Sequence, residues 1–229
     1  MATPADATRP HRAPLNTQAV LRAAVALADE SGVDALSMRK LAQALGVAPM
    51  ALYKHVDGKD ELLDGMIEVV IGEIDPPEPG VEWKTAIRRR VLSARQMLLR
   101  HPWASQVIEA RTKVRPTPAV LAYMDTMIEI FRSGGLSVDL THHALHTMGS
   151  RLLGFSQELF NESGGDDQEP DPETSRAMAE QYPNITALVT AITHDEGSVV
   201  GAGCDDQFEF EFALDLLLNG LERLHDAAS

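Results

Sequence analysis

The stretch Ser37 to Lys59, SMRKLAQALGVAPMALYKHVDGK, constrains this chain more than any other, because it spells two short helices joined at a glycine. Ser37 offers a hydroxyl to cap the first helix. Met38, Leu41, Ala42 and Leu45 then recur at the spacing of one helical face, which must be buried. Gly46 stands where the chain has to turn sharply, and Ala42 is small enough to let the next helix approach closely. The pattern predicts that second helix over Ala48–Val56, with Leu52 and Val56 inward and Met50, Ala51, Tyr53, Lys54 and His55 outward. Outward groups that donate, accept and stack are what a short helix needs to enter a nucleic-acid groove.

The flanking sequence reads as helical throughout. Thr17 is placed to cap a first long helix whose apolar stripe, Val20, Ala24, Leu27 and Ala28, stops near Ser31 and Gly32. After Gly58 and Lys59 a connector helix is expected from Asp60 to about Ile74, and DPPEPG at 75–80 breaks it. The expected division is a loose tail over 1–14, a head with its connector over 15–74, and a larger body over 75–229. In the body, helices are predicted over Trp83–Leu99, Pro102–Arg111, Pro118–Arg132, Val138–Glu162 and about Asp205–Leu224. No strand-like alternation of useful length occurs, so the fold class is all-α. Asn161–Pro172, short of apolar residues and rich in acid, reads as a mobile loop, and Thr193–Gly203 as a second weak stretch.

Charge is distributed unevenly. The chain of 229 residues carries a net −14, yet residues 1–65 hold 7 Lys/Arg against 8 Asp/Glu while residues 66–229 hold 13 against 26. A polyanion would be repelled by the body and tolerated only at the head, which orients the molecule and leaves affinity to local cations. The same acidity also serves solubility. The first fourteen residues, MATPADATRPHRAP, lack the apolar core of a signal peptide, and nothing suggests a membrane span. A lone cysteine, Cys204, rules out an internal disulfide framework and fits a reducing compartment, so the cytoplasm is the expected location.

Residues Leu15 to Ile74 resemble the N-terminal domain of the TetR family of transcriptional regulators, most specifically through the RKLAQALGV run at 39–47, the LYKHV run at 52–56, and Lys59 with Leu62 and Leu63 at the opening of the next helix. Further on, His101-Pro102-Trp103 and the closing FEFEFALDLLLNGLERL resemble the C-terminal domain of the tetracycline-repressor branch. The resemblance implies a three-helix helix-turn-helix head on a larger helical domain that binds an effector and dimerises. It implies a transcriptional regulator, most commonly a repressor, bound as a homodimer to a palindromic double-stranded operator and released by a small-molecule effector. It implies no catalysis and no cofactor.

Carried over position by position, the resemblance assigns DNA contact to Ser37, Arg39, Pro49, Met50, Ala51, Tyr53, Lys54, His55 and Lys59. Arg39 suits guanine O6 and N7, Tyr53 and His55 face phosphates, and Lys59 holds the backbone. The tetracycline repressor has glutamine, proline, threonine and tryptophan at the positions of Pro49, Met50, Ala51 and Lys54, so a different operator is expected. Against these roles stand plainer ones: Tyr53 in the core, Arg39 paired with Asp34, His55 capping its helix.

For an effector pocket the candidates are Trp83, Trp103, Arg111, Met127, Phe131, Arg151, Phe155 and Glu158, an apolar set with two cations and a carboxylate; each also fits ordinary core or rim. In the tetracycline repressor's alignment two metal-linked histidines fall on Arg111 and Ser150 and a glutamine on Met127. Only Glu158 is kept, so an inducer other than magnesium-tetracycline is expected. For dimerisation the candidates are Leu145, Met148, Leu152 and Leu159 on one long helix and Phe212, Leu216, Leu217 and Leu224 on another, which with their symmetry mates would make a four-helix bundle. Intramolecular core is the alternative. His142, His143 and His146 with Asp139 have a spacing that zinc could use, but histidines at a helix start without cysteine are more often surface or pocket lining, and no metal is assigned. An enzyme is the competing class, as is a dimeric binding module without DNA recognition. No phosphate loop, nucleophile elbow or paired-acid signature supports the first.

Overall fold

A computed structural model describes residues 15–154, 172–191 and 206–228. Within them every regular element is helical. The head is α1 (Thr17–Ser31), a short 3-10 turn (Val33–Ala35), α2 (Met38–Leu45), α3 (Pro49–Leu52) and α4 (Lys59–Ile71). There follow α5 (Trp83–Arg100), α6 (Ala104–Val114), α7 (Pro118–Ser133), α8 (Val138–Gly154), α9 (Pro172–Gln181), α10 (Pro183–Ala191) and α11 (Asp206–Ala228). None of these is long and apolar enough to cross a membrane.

Local chemistry sets the boundaries. The cap of α1 is Asn16, not the expected Thr17: its side-chain oxygen accepts from the Ala19 N–H at 2.8 Å, and Thr17 is the first helical residue. Ser37 caps α2 as expected, accepting from the Lys40 N–H at 3.3 Å. Gly46 ends α2 in the left-handed conformation at φ 63°, ψ 41°, and the Val47 N–H returns to the Ala42 carbonyl at 2.9 Å. The second helix is shorter than the predicted Ala48–Val56. Ala48 has no side chain with which to cap it, and after Leu52 the chain tightens into a turn closed by the His55 N–H on the Leu52 carbonyl at 2.8 Å. Helix α4 stops at Ile71 instead of Ile74, its last turns tightening through Glu73 to Val70 and Ile74 to Ile71 before the proline pair.

Contacts divide the chain into two compact units, and not by a single cut near residue 75. The first comprises residues up to Glu78 with Ser93–Met127, the second Pro79–Leu92 with the described residues from Ile128 onward. The division follows burial: Met97, Trp103, Ala104, Val107, Ile108 and Val120 join the same core as Val20, Ala24, Leu41, Leu52, Met66 and Ile67. Helices α6 and α4 pack on each other in this unit. The apolar face read on α2 is there, with Leu41 and Ala42 buried and Met38 and Leu45 packed against the core.

The second unit buries Ile87, Phe131, Leu136, Ala144, Met148, Phe210, Leu214 and Leu218, with α8 against α11. Trp83 lies over Phe131 at a ring separation of 6.1 Å. The predicted helix to Glu162 is described as far as Gly154; the expected mobile loop up to Asp171, the stretch Thr193–Gly203 and Cys204 lie outside the described residues. Helices α9 and α10 were not read from the sequence.

Gly134 shows how closely the second unit is fitted. A β-carbon there would stand 2.4 Å from Trp83 Cγ and 2.6 Å from its Cβ, the base of a ring that cannot swing aside. Gly134→Ala is expected to lower stability by about 1–3 kcal/mol, the usual effect of overpacking. Urea unfolding followed by tryptophan fluorescence measures it; an unchanged midpoint would show that Trp83 has room to move.

Candidate nucleic-acid interface

The short helices α2 and α3 present their outer faces on a core that fixes them. Leu41, Ala42, Leu52 and Val56 are almost fully buried, so neighbouring side chains have no freedom but to face solvent. Arg39, Pro49 and Lys54 are exposed, as is Lys59 at the start of α4; Met50 is 73% and Tyr53 44% exposed. Ala51 and His55 are half-buried. Tyr53 is therefore not a core residue. Ser37 is exposed, with its hydroxyl already engaged as a cap.

No other described residue gives Arg39, Lys54 or Lys59 a side-chain hydrogen bond or ion pair, and Asp34 does not hold Arg39. Lys40, which the sequence reading passed over, is likewise exposed beside Arg39. Several cations elsewhere are engaged by acids. Arg88 meets Asp215 and Glu211, Lys84 meets Glu222, Arg100 meets Glu73, and Lys113 meets Glu109. Bonding to Asp215, then Glu211, raises the Arg88 pKa despite partial burial.

Two polar clusters hold the head's supports. His101, buried, has Nδ1 2.8 Å from Asp29 Oδ1 of α1 and Nε2 3.2 Å from Glu73 Oε2 beyond α4. The Trp103 indole N–H donates to the same Asp29 oxygen at 2.7 Å. Arg100 adds Nε and Nη2 to Glu73 at 3.1 and 2.9 Å. Burial pushes the Glu73 carboxyl up, but hydrogen bonds from Arg100 and His101 and their charges prevail and hold it below the ordinary glutamate value. In the second cluster Arg111 of α6 forks onto Asp64 of α4 at 2.7 and 2.8 Å and reaches Asp60 at 3.1 Å. Bonding to Asp64 raises the Arg111 pKa above its ordinary value. Sequence spacing reveals neither cluster, since the partners lie 27 to 74 residues apart.

The proposed effector residues fall in both units. Trp103 and Arg111 turn to acids of the first unit, where Met127 is also buried; Trp83 and Phe131 meet in the second. The Arg151 side chain, Phe155 and Glu158 lie outside the described residues. A cleft of about 660 Å³ in the first unit, bounded by Leu21, Val56, Glu61, Asp64, Glu68 and Leu121, is lined by none of the eight.

Of the proposed dimer residues, Met148 is buried within the chain, and Leu145, Leu152 and Leu217 are half-buried. Phe212, Leu216 and Leu224 are 41%, 57% and 60% exposed, on α11 opposite its buried stripe Phe210, Leu214, Leu218 and Leu221. Leu159 lies outside the described residues. The rings of His142 and His146 are 4.6 Å apart, but among the described residues no three His, Cys, Asp or Glu side chains are grouped to hold a metal ion.

A sequence model described as bacterial regulatory proteins, tetR family, matches residues 20–66, and one described as tetracyclin repressor-like, C-terminal domain, matches residues 76–225, more than half of the chain. The chain belongs to the TetR family of transcriptional regulators. It is a DNA-binding, ligand-responsive regulator and not an enzyme. Among its TetR-family relatives, the HTH-type transcriptional repressor DrrR1 of Streptomyces coeruleorubidus is 29% identical over 94% of this chain and 82% of that protein. The class G tetracycline repressor of Vibrio anguillarum is 30% identical over 93% of this chain and 96% of its own. Among solved structures, apo ActR from Streptomyces coelicolor matches with a TM-score of 0.68 at 26% identity, over 95% of this chain and 99% of ActR.

The lowered Glu73 pKa has a signed consequence. A carboxyl depressed on folding contributes stability above the ordinary glutamate range, and that contribution is lost as pH falls through its folded value. Wild type should therefore exceed Glu73→Gln in stability most clearly near neutrality, the gap closing as pH falls below the ordinary glutamate range. Urea midpoints of both proteins across that range test it, and a gap that widens in acid would contradict the assigned cause.

Proposed function

We propose that this chain is a cytoplasmic, homodimeric repressor that binds a palindromic operator through α2, α3 and the start of α4, and leaves it when a small molecule binds its body. The observation that carries this reading is that Arg39, Lys40, Lys54 and Lys59 stand exposed and without side-chain partners among the described residues, gathered on α2, the turn after α3 and the start of α4 over a buried core. Holding several cations open costs nothing in water, and each becomes useful when it displaces counterions from phosphate.

Arg39 reads a base edge and Lys54 supplies the remaining hydrogen-bonded contact. Pro49, Met50 and Ala51 offer apolar contact such as a thymine methyl accepts, and Tyr53, His55, Lys59 and the Ser37 turn set the register on phosphates. Two heads about 34–36 Å apart are needed to read a palindrome, and Phe212, Leu216 and Leu224 supply the apolar surface that pairs them, with half-buried Leu145, Leu152 and Leu217 as further candidates. For the effector, Trp83 and Phe131 are the candidates that meet in the second unit. ActR, similar over nearly the whole chain, has also been crystallised with actinorhodin, which supports a small-molecule effector.

Selection of bound fragments from random duplex DNA should return a palindrome, and adding candidate effectors should release it; recovery of unrelated fragments only would end the reading. On the selected duplex, Arg39→Ala should cost about 1–3 kcal/mol and relax preference at one base pair, whereas Lys59→Ala should weaken all sequences alike and reduce the salt slope by about one. Equal losses on selected and random DNA for Arg39→Ala would remove its base-reading role. Leu216→Glu should give a folded monomer in sedimentation and lose the selected duplex. A dimer persisting in that variant would place the interface elsewhere.

A further inference from the structure

We infer that Arg111 controls DNA affinity without touching DNA, by masking two carboxylates that otherwise repel phosphate at the start of α4. The inference rests on the DNA-binding reading above and assigns Arg111 a role apart from effector binding. Lys59, Asp60 and Glu61 open α4, and Asp64 follows one turn later on the side of Asp60. Acids in a first turn favour the helix itself, because its N-terminus carries partial positive charge. Beside a phosphate backbone the same acids are adverse: Lys59 alone faces three carboxylates, and the Asp60 side chain is 85% exposed.

The geometry of Arg111 answers both Asp60 and Asp64 at once. Nε and Nη2 fork onto the two oxygens of Asp64 at 2.7 and 2.8 Å, and Nη1 extends to Asp60 at 3.1 Å. Glu61 is occupied differently, accepting the Asp57 N–H. A planar guanidinium makes this double engagement and stays charged throughout any accessible pH. The fork onto Asp64 is largely buried, with the Arg111 and Asp64 side chains 24% and 27% exposed, so it also helps to pack α6 on α4. Their charge reaches further than their bond. Within a Debye length of about 10 Å at 0.1 M salt, one cation near two anions changes the field that an approaching phosphate meets.

The test uses the full-length protein with a random-sequence duplex and with a duplex selected by the wild type, each at several salt concentrations. Arg111→Ala should weaken binding to both duplexes by about five- to tenfold at low salt, and by much less near 1 M, where screening shortens to about 3 Å. Arg111→Lys should stay within about twofold of wild type, because charge is what masks. The triple variant Arg111→Ala, Asp60→Asn, Asp64→Asn should recover wild-type affinity, a rescue that a purely structural role would not give. Should Arg111→Ala fail to fold, Asp60→Asn with Asp64→Asn alone still decides: binding should tighten several-fold.

Unchanged affinity in Arg111→Ala, a loss equal at every salt concentration, no rescue in the triple variant, or no tightening in the double variant would each overturn the inference. Wild-type protein that binds neither duplex would instead overturn the DNA-binding reading.

Discussion

His101 is the hinge pin of the head. Its imidazole is buried with a carboxylate at each nitrogen, Asp29 from α1 and Glu73 from the end of α4, and the indole of Trp103 shares the Asp29 oxygen. Three chain segments that are remote in sequence are thereby fixed at one point. Apolar packing alone would place α1 near α4, but it is indifferent to a slide of an ångström or two. A ring with two directed contacts is not, and a buried polar group that loses its partner costs about 1–3 kcal/mol. The angle between the connector helix and the rest of the head follows from that cluster.

The molecule carries a large excess of acid and yet leaves the cations of α2, the turn after α3 and the start of α4 without acid partners among the described residues. Acids engage basic residues of α5 and α6: Asp215 and Glu211 on Arg88, Glu73 on Arg100, Asp64 on Arg111. None is placed against Arg39, Lys54 or Lys59. Among the described residues, α2, the turn after α3 and the start of α4 thus bring together four exposed cations without side-chain partners, Arg39, Lys40, Lys54 and Lys59. The surplus of uncompensated carboxylate lies in the remainder of the chain, where it repels the same polyanion.

The head was legible because its signals are local. A serine cap, an i, i+3, i+4 apolar face and a glycine at a left-handed turn are all read within one or two helical turns, and the Gly46 φ of 63° is what that residue type was needed for. Boundaries failed where two local signals competed: Asn16 and Thr17 both cap well, and only the backbone decides between them. The supports of the head escaped because they are non-local. Arg111 looked like one of two cations available to a ligand; nothing in its own neighbourhood says that Asp64, 47 residues earlier, would face it. Trp103 was read as pocket lining for the same reason, its partner Asp29 being 74 residues away. On α11 the spacing gave apolar positions on more than one face, and periodicity could not say that Phe210 and Leu214 turn inward while Phe212 and Leu216 turn outward.

That two-sided helix bears on how such a protein is assembled. A helix apolar on one stripe is satisfied by its own chain; α11 buries Phe210, Leu214, Leu218 and Leu221 and still exposes Phe212, Leu216 and Leu224. Three large apolar side chains along one exposed line would be a liability in a monomer, and burying each is worth about 1.5–3 kcal/mol. The inner stripe ties α11 to α8, so a partner seated on the outer one would be held by a helix that cannot peel away without opening its own core. A partner that covered this outer stripe would therefore grip a packed helix of the second unit, not a loose tail.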